Sequence, residues 1–361
     1  MMKSYAKTIL AKPWRWLLPV LSFFVVLGLT RLDAPLYHQP IVQVTAVHTG
    51  KAQKQVDNFD NHDVTHRQQV QAKFLNTARR GQVITLSNTY SGSGALDTPL
   101  RRGDQVFVER QAGRYQLKDE KRDGAVLGLL AATVWLMALV MKKRVWLTFG
   151  SILANAGLLL VTLHVETTSN QKLAYALFSL MAVLFTVVTT VFIAGIKRQA
   201  AVIAVATLGA TALSLALGYG LFAATGYRDL HIEAVEYVTQ VPQLLFFVQI
   251  MIGSLGAVLD ESNDIAVAVM QLPAGFKRRF QAGMAIGRNV MGPLIAVLFM
   301  IFMADTFTES ILWLRNDNAI SQTFIWVMGL GFAQALISAF GIVLAVPLTS
   351  LLAAWPKKVQ A

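Results

Sequence analysis

LLFFVQIMIGSLGAVLDESNDIAVAVMQLPAGFKRRFQAGMAIGRNVMGP, from Leu244 to Pro293, is the stretch whose reading decides the fold. The sixteen residues from Leu244 to Leu259 carry no charge. At about 1.5 Å of rise per residue they make roughly 24 Å of helix, most of the thickness of a bilayer's hydrocarbon core. The run ends in Asp260, Glu261, Ser262, Asn263 and Asp264. An ionisable group at the end of a span has to pair, reach water or bind something, because an isolated charge in hydrocarbon is expensive. Any chemistry is therefore expected here.

Two readings of the five polar residues stand side by side. All are types that accept hydrogen bonds from the free N–H groups of a helix start, so a break after Asp260, a short second helix over Ile265 to Leu272 and a stop at Pro273 and Gly275 is the simpler expectation. Carboxylates at that start would also meet the positive end of its dipole. In the other reading the helix is continuous, and Asp260 and Asp264, four apart, share one face that turns inward toward Arg288 and Asn289. An Asp–Arg pair at the membrane edge would serve as a proton or cation relay, or as a lock between two states. The relay candidates are therefore Asp260, Asp264, Arg288, Asn289 and, deeper in the span, Gln249.

Composition sets the frame for this reading. With 55% hydrophobic and 14% charged residues over 361 positions, and a mean hydropathy of +0.50, the chain is too apolar for an ordinary soluble domain. A net charge of +12 is also what a membrane protein accumulates on its cytoplasmic loops, so position has to decide its meaning. The chain has no cysteine, which excludes disulfides, thiol catalysis and Cys-ligated zinc.

Eight spans follow: an N-terminal anchor over Trp16 to Thr30, then Gly124 to Met141, Val145 to Leu163, Leu173 to Ile196, Ala200 to Ala224, Leu244 to Leu259, Val290 to Ala304 and Thr323 to Val346. The anchor is read as retained rather than cleaved, since Thr30-Arg31-Leu32-Asp33 stands where a small-residue cleavage site should be. Segments on the side of the N-terminus hold fifteen Lys and Arg against three carboxylates, and the short loops opposite hold three against seven. That bias orients a membrane protein, and it puts both termini in the cytoplasm and the insert outside. The organisation expected is a cytoplasmic N-terminus and anchor (1–30), an extracytoplasmic β-rich domain (31–123), a seven-helix membrane domain (124–346) and a cytoplasmic tail (347–361). The fold class is thus a membrane all-α bundle with a small, mainly β domain inserted between its first two helices.

The insert holds fourteen Lys and Arg, ten Asp and Glu, and no long apolar run. Ile41 to Val47, Gln82 to Leu86 and Gln105 to Glu109 alternate as strands do, with Gly81, Gly92-Ser93-Gly94 and Gly103-Asp104 between them, which suits a small β-barrel or sandwich. A net charge of +4 and one aromatic, Tyr90, near the arginine pairs argue against nucleic acid. His62 and His66 would share a face if Asn61 to Asn76 were helical, but solvated histidines are the commoner explanation and no metal site is expected. On the same outer side, Asp229 to Gln243 has the spacing of an amphipathic helix, and Asp305, Glu309 and Asp317 form an acidic loop cluster. Within the spans Gly253, Gly256, Gly283 and Gly287 are helix-packing candidates, because small side chains let backbones approach.

Gly256-Ala257-Val258-Leu259-Asp260 with Ile265-Ala266, and Ile286-Gly287-Arg288 with Met291-Gly292, resemble the two signature segments of the YibE/F-like family of bacterial multi-span membrane proteins. The layout of anchor, exported insert and seven further spans is similar as well. The sequence departs from that pattern after Arg288, where Asn289 and the apolar Pro293-Leu294-Ile295-Ala296-Val297 stand in place of an acidic residue and a polar run. The resemblance implies an architecture and carries no biochemical activity. Three functional readings remain: a transporter or permease-like protein with an ion or proton site near Asp260, a non-catalytic scaffold or sensor with an extracytoplasmic binding domain, and the membrane subunit of an ATP-driven exporter. Catalytic motifs are lacking and no enzyme activity or cofactor is expected. The partners expected are the lipid bilayer, a membrane or envelope protein, a second copy of the chain and an unidentified small-molecule substrate, but not nucleic acid.

Overall fold

The computed structural model describes residues 13–56, 60, 62–94, 97–142, 144–168, 173–228, 230–232 and 242–355. The chain divides into two compact units, Met1–Val145 and Trp146–Ala361. Most of the amphipathic segment expected over Asp229 to Gln243 lies outside the described residues.

The first unit is a helix pair carrying a sheet. A short 3-10 turn, Pro13–Leu17, leads into α1 (Leu18–Leu29), and after the sheet comes α2 (Asp123–Met141). The two helices meet closely because α2 presents glycine at the crossing. A Cβ on Gly124 would stand 2.8 Å from Thr30 Oγ1, and one on Gly128 would stand 3.0 Å from Phe23. Gly124 and Gly128 are four apart, the spacing that lets helix backbones approach.

Between the helices lies one antiparallel sheet of six strands: β1 (Ile41–Thr49), β2 (Gln53–Val56), β3 (His62–Phe74), β4 (Val83–Ser91), β5 (Gln105–Gln111) and β6 (Arg114–Glu120). The thirteen-residue β3 pairs with β1, β2 and β4, β5 joins β1 to β6, and the sheet curls until β4 approaches β6. Alternation sets the buried face, since Val70, Ala72 and Phe74 point into the core while Gln69, Gln71 and Lys73 point out. Val42, Val44, Leu86, Leu100, Val106 and Val108 complete that core. In place of the helix considered over 61–76 from the histidine spacing, the described residues form the strand His62–Phe74, and His66 stacks on Tyr90 with ring centroids 5.0 Å apart. The polar, glutamine-rich composition hides the strand, because Gln68 is itself buried and bonded to Asn88 at 3.0 Å and to the Leu100 backbone.

Where the sheet joins the helices, one lysine gathers the chain. Lys121, its side chain 3% exposed, donates to the Thr30 carbonyl at 2.6 Å and lies 2.9 Å from carboxylate oxygens of Asp33 and Asp123. Tyr37 donates its hydroxyl to Asp123 at 2.7 Å and sets its ring under the ammonium. That hydrogen bond first, then burial, pushes the Tyr37 phenol up to about 12.

The second unit is a bundle of α3 (Arg144–Thr168), α4 (Ala174–Ala194), α5 (Arg198–Ala224), α6 (Pro242–Gln271), α7 (Phe276–Arg315) and α8 (Ile320–Ala354), the last containing a π turn at Phe324–Met328. Together with α2 these make, among the described residues, seven helices long and apolar enough to cross a membrane, and Trp14–Leu29 is a shorter apolar one. Half of the apolar window is buried in α5 and in α8, and 44% in α6, against 6% in α7. The core is therefore built mainly by the α5–α6–α8 trio, joined by Phe178 and Met181 of α4, and most apolar side chains of α7 face outward, as a lipid solvent requires.

Three of these helices are longer than their apolar runs. The break expected after Asp260 does not occur: α6 continues for eleven more residues to Gln271, because Ile265, Ala266 and Val269 resume its buried stripe and hold it to the bundle. The other long helix, α7, starts at Phe276 rather than Val290, and α8 runs through Pro347 to Ala354 with Thr349, Ser350 and Ala353 buried.

Tyr37 supplies a pH test. A phenol raised on folding contributes its stability fully below its unfolded value of about 10 and loses it as pH rises toward about 12. Thermal unfolding of the protein in detergent should become easier over that window, and Tyr37→Phe should remove that component of the slope. Identical alkaline slopes for the two proteins would contradict the assignment.

Candidate functional site

The buried face of α6 reads Ile250, Ser254, Val258, Glu261, Ser262, Ile265, Val269. Uninterrupted helical phase places Glu261 three residues after Val258 and four before Ile265, so it cannot turn away from the core. Glu261 is 0% exposed, and among the described residues neither of its carboxylate oxygens has a hydrogen-bond partner. Its neighbour Ser262, equally buried, accepts a hydrogen bond from Thr349 of α8 at 3.2 Å.

Packing fixes the level of this group in the bundle. On one side Val258 clusters with Ala210 of α5 and with Ile342 and Ala345 of α8. On the other, Ile265 clusters with Ile203 of α5 and with Val346 and Ala353 of α8. Thr207 falls one turn from both Ile203 and Ala210, Glu261 one turn from both Val258 and Ile265, and Thr349 one turn from both Ala345 and Ala353. Each helix therefore contributes one polar group to a single layer enclosed by two apolar clusters. All three are fully buried, and the Thr207 hydroxyl, like the Glu261 carboxylate, has no partner. Ser350 and Asn263 each add a further buried oxygen without one.

Small residues make so tight a layer possible. A Cβ on Gly341 would stand 2.7 Å from Val258, and one on Gly218 would stand 2.6 Å from Ile337. Gly283 and Gly287 of α7 face Ser350 and Val346 of α8 in the same way. Gly253 lies against Gln334, its Cβ position 2.6 Å from Nε2, whereas Gly256 faces open space.

The five relay candidates do not converge. Asp260 and Asp264 lie on an exposed part of α6, Arg288 and Asn289 are exposed on α7, and among the described residues no ion pair joins them. Gln249 sits eleven residues before Asp260, about 16 Å along the helix. There it lines a cleft of about 500 Å³ with Asp305, Glu309, Trp326 and Gln334. A second cleft, of about 580 Å³ between α4, α5 and α6, is mainly apolar and has Leu208 and Thr211 in its lining, Thr211 one turn from Thr207. Among the described residues no cluster of three or more acidic or histidine side chains could hold a metal ion.

Sequence reasoning passed over Glu261 because it grouped five adjacent polar residues as one cap. The signal that separates them is the apolar phase, which returns at Ile265 in register with Val258 and is only compatible with an unbroken helix.

A buried polar group without partners costs stability, so its removal has a definite sign. Glu261→Leu should stabilise the detergent-solubilised protein by about 1–3 kcal/mol, while Asp260→Asn should change it by less than about 0.5 kcal/mol. Thermal unfolding checks both. A destabilised Glu261→Leu protein would mean that the carboxyl is satisfied in the native state.

Family models give the last observation. The model described as YibE/F-like protein matches residues 129–358, and the model described as YibE/F family N-terminal domain matches residues 35–120. No curated protein and no solved structure matches the chain. The first match spans α3 to α8, including the Glu261 layer, and the second spans all six strands. With its long apolar helices the chain is a membrane protein, and it belongs to the YibE/F-like family.

Proposed function

We propose that the chain is a transporter or permease-like protein of the bacterial plasma membrane in which Glu261 is the group that exchanges a proton or a cation. The observation that carries this reading is the complete burial of an unpartnered carboxyl in a three-helix layer. A protein keeps such a residue against its cost to stability when it serves a function. Protonated, Glu261 is compatible with its dry surroundings; deprotonated, it demands water, a cation or a rearranged layer. Two charge states that need two surroundings are what couples an ion to a conformational change. The cleft lined by Leu208 and Thr211 lies within one turn of Thr207 along α5, and Thr207 and Thr349 supply hydroxyls at the level of the carboxyl.

In this reading the seven long helices and the shorter Trp14–Leu29 make eight spans. The distribution of Lys and Arg supports having both termini inside and the sheet outside. A second reading, an envelope sensor, draws support from the Lys121 joint, which ties the sheet to α1 and α2 at one point. Neither reading requires catalysis.

Two measurements test the proposal. A hydrophobic carbodiimide, which reacts with carboxylic acids in apolar surroundings, should label Glu261 in membranes; labelling should fall as pH rises and vanish in Glu261→Gln. Equal labelling across the pH range, or labelling that survives the substitution, would rule Glu261 out as the exchanging group. For orientation, a reporter fused after Lys357 should be active only in the cytoplasm, and activity outside would reverse the topology.

A further inference from the structure

At the opposite end of α5 from the outer loops lies a cleft with a different chemistry. Its volume is about 520 Å³ and its lining is Lys197, Arg198, Gln199, Val267, Met270, Gln271 and Arg279. Three cations and two amides face this space with no carboxylate among the lining residues, and among the described residues none of the three cations makes an ion pair. Like charges held together without a counter-ion repel, so the arrangement favours an anion.

The guanidinium groups are held in place by the fold. Arg198 donates to the Trp355 carbonyl at 2.6 Å and to that of Leu352 at 3.5 Å, and Arg279 donates through Nε to the Leu272 carbonyl at 2.9 Å. A guanidinium has five N–H donors in a fixed fork, so most of them remain for a ligand. Lys197 caps α5 without a side-chain bond, which adds the free N–H groups of the helix start to the same electropositive end.

We propose that this cleft binds the phosphate of an anionic phospholipid. Phosphate chemistry follows from the forked donors, and the lipid source follows from what surrounds them. Ile196 is 94% exposed immediately before Lys197, Ile193 is 54% exposed one turn earlier, and Val267 and Met270 form the apolar part of the lining. A headgroup phosphate among the cations would thus have apolar surface beside it for its acyl chains, which a free phosphate cannot use. Basic pockets between helices at the cytoplasmic surface suit anionic headgroups, and the site is independent of the role given to Glu261.

The test uses the purified full-length protein in a neutral detergent with phosphatidylglycerol, phosphatidylcholine or inorganic phosphate added, read by native mass spectrometry and thermal unfolding. Phosphatidylglycerol should be retained and should raise Tm, and phosphatidylcholine should do neither. The double variant Lys197→Gln, Arg279→Gln should weaken phosphatidylglycerol binding about tenfold or more, while Lys277→Gln, an exposed cation outside the cleft, should leave it unchanged. Since Arg279 also bonds to backbone, Lys197→Gln alone provides a variant that removes no hydrogen bond of the fold and should weaken binding several-fold. Equal retention of both lipids, or equal loss with Lys277→Gln, would overturn the site. Saturation and the same Tm rise with inorganic phosphate alone would overturn the lipid assignment in favour of a free anion.

Discussion

The α8 backbone has to come close to three other helices at once, and the second unit depends on that approach. In a solvent as apolar as its own side chains, a helix bundle is held by dispersion contacts and buried hydrogen bonds, both of which decay within an ångström or so of separation. Glycine supplies the missing ångström on one side of each crossing: Gly341 of α8 beneath Val258, Gly218 of α5 beneath Ile337, Gly283 and Gly287 of α7 beneath Ser350 and Val346. A single methyl at any of these points would run into the facing side chain, which would have to shift or move the helix that carries it. The Ser262–Thr349 hydrogen bond spans the same interface and would be stretched first, and the enclosure of Glu261 by α5 and α8 would open with it.

That geometry explains how a buried carboxyl is enclosed. The apolar clusters on either side of Glu261 draw residues from α5, α6 and α8, so no single helix seals it. The polar layer is also the only part of the α6–α8 contact with a side chain to side chain hydrogen bond among the described residues, which gives the two helices a defined register there.

Much of the architecture was legible in the sequence because its signals are long-range averages. Runs of apolar residues locate the helices, and alternation locates β1, β4 and β5. What escaped depends on contacts that no local pattern records. The strand β3 is polar along much of its length and owes its conformation to the strands beside it. The ends of α6, α7 and α8 lie beyond the apolar runs, and buried residues such as Ile265, Gly287 and Thr349 keep them helical. At the candidate site, the sequence drew attention to five adjacent polar residues of α6 and favoured the two aspartates for their charge and their spacing. Burial falls instead on the glutamate between them, and only the phase of a continuous helix tells these apart. Gly124 and Gly128 went unremarked for a similar reason: four-residue spacing of glycines is common, and it acquires meaning only when Phe23 and Thr30 are found against it.

Lys121 binds the carbonyl of Thr30 and the carboxylates of Asp33 and Asp123, so the point where the chain leaves α1 and the point where it enters α2 are joined through one ammonium group. The six strands hang from that junction as a closed loop of chain, and α1 and α2 pair through their own glycine crossing without help from them. Such an arrangement is a socket: what is mounted in it can be lengthened, trimmed or exchanged by recombination while the helices beneath keep their pairing. The sheet is thereby free to diverge at its own pace, under selection by whatever it meets, and the helix bundle is free to stay as it is.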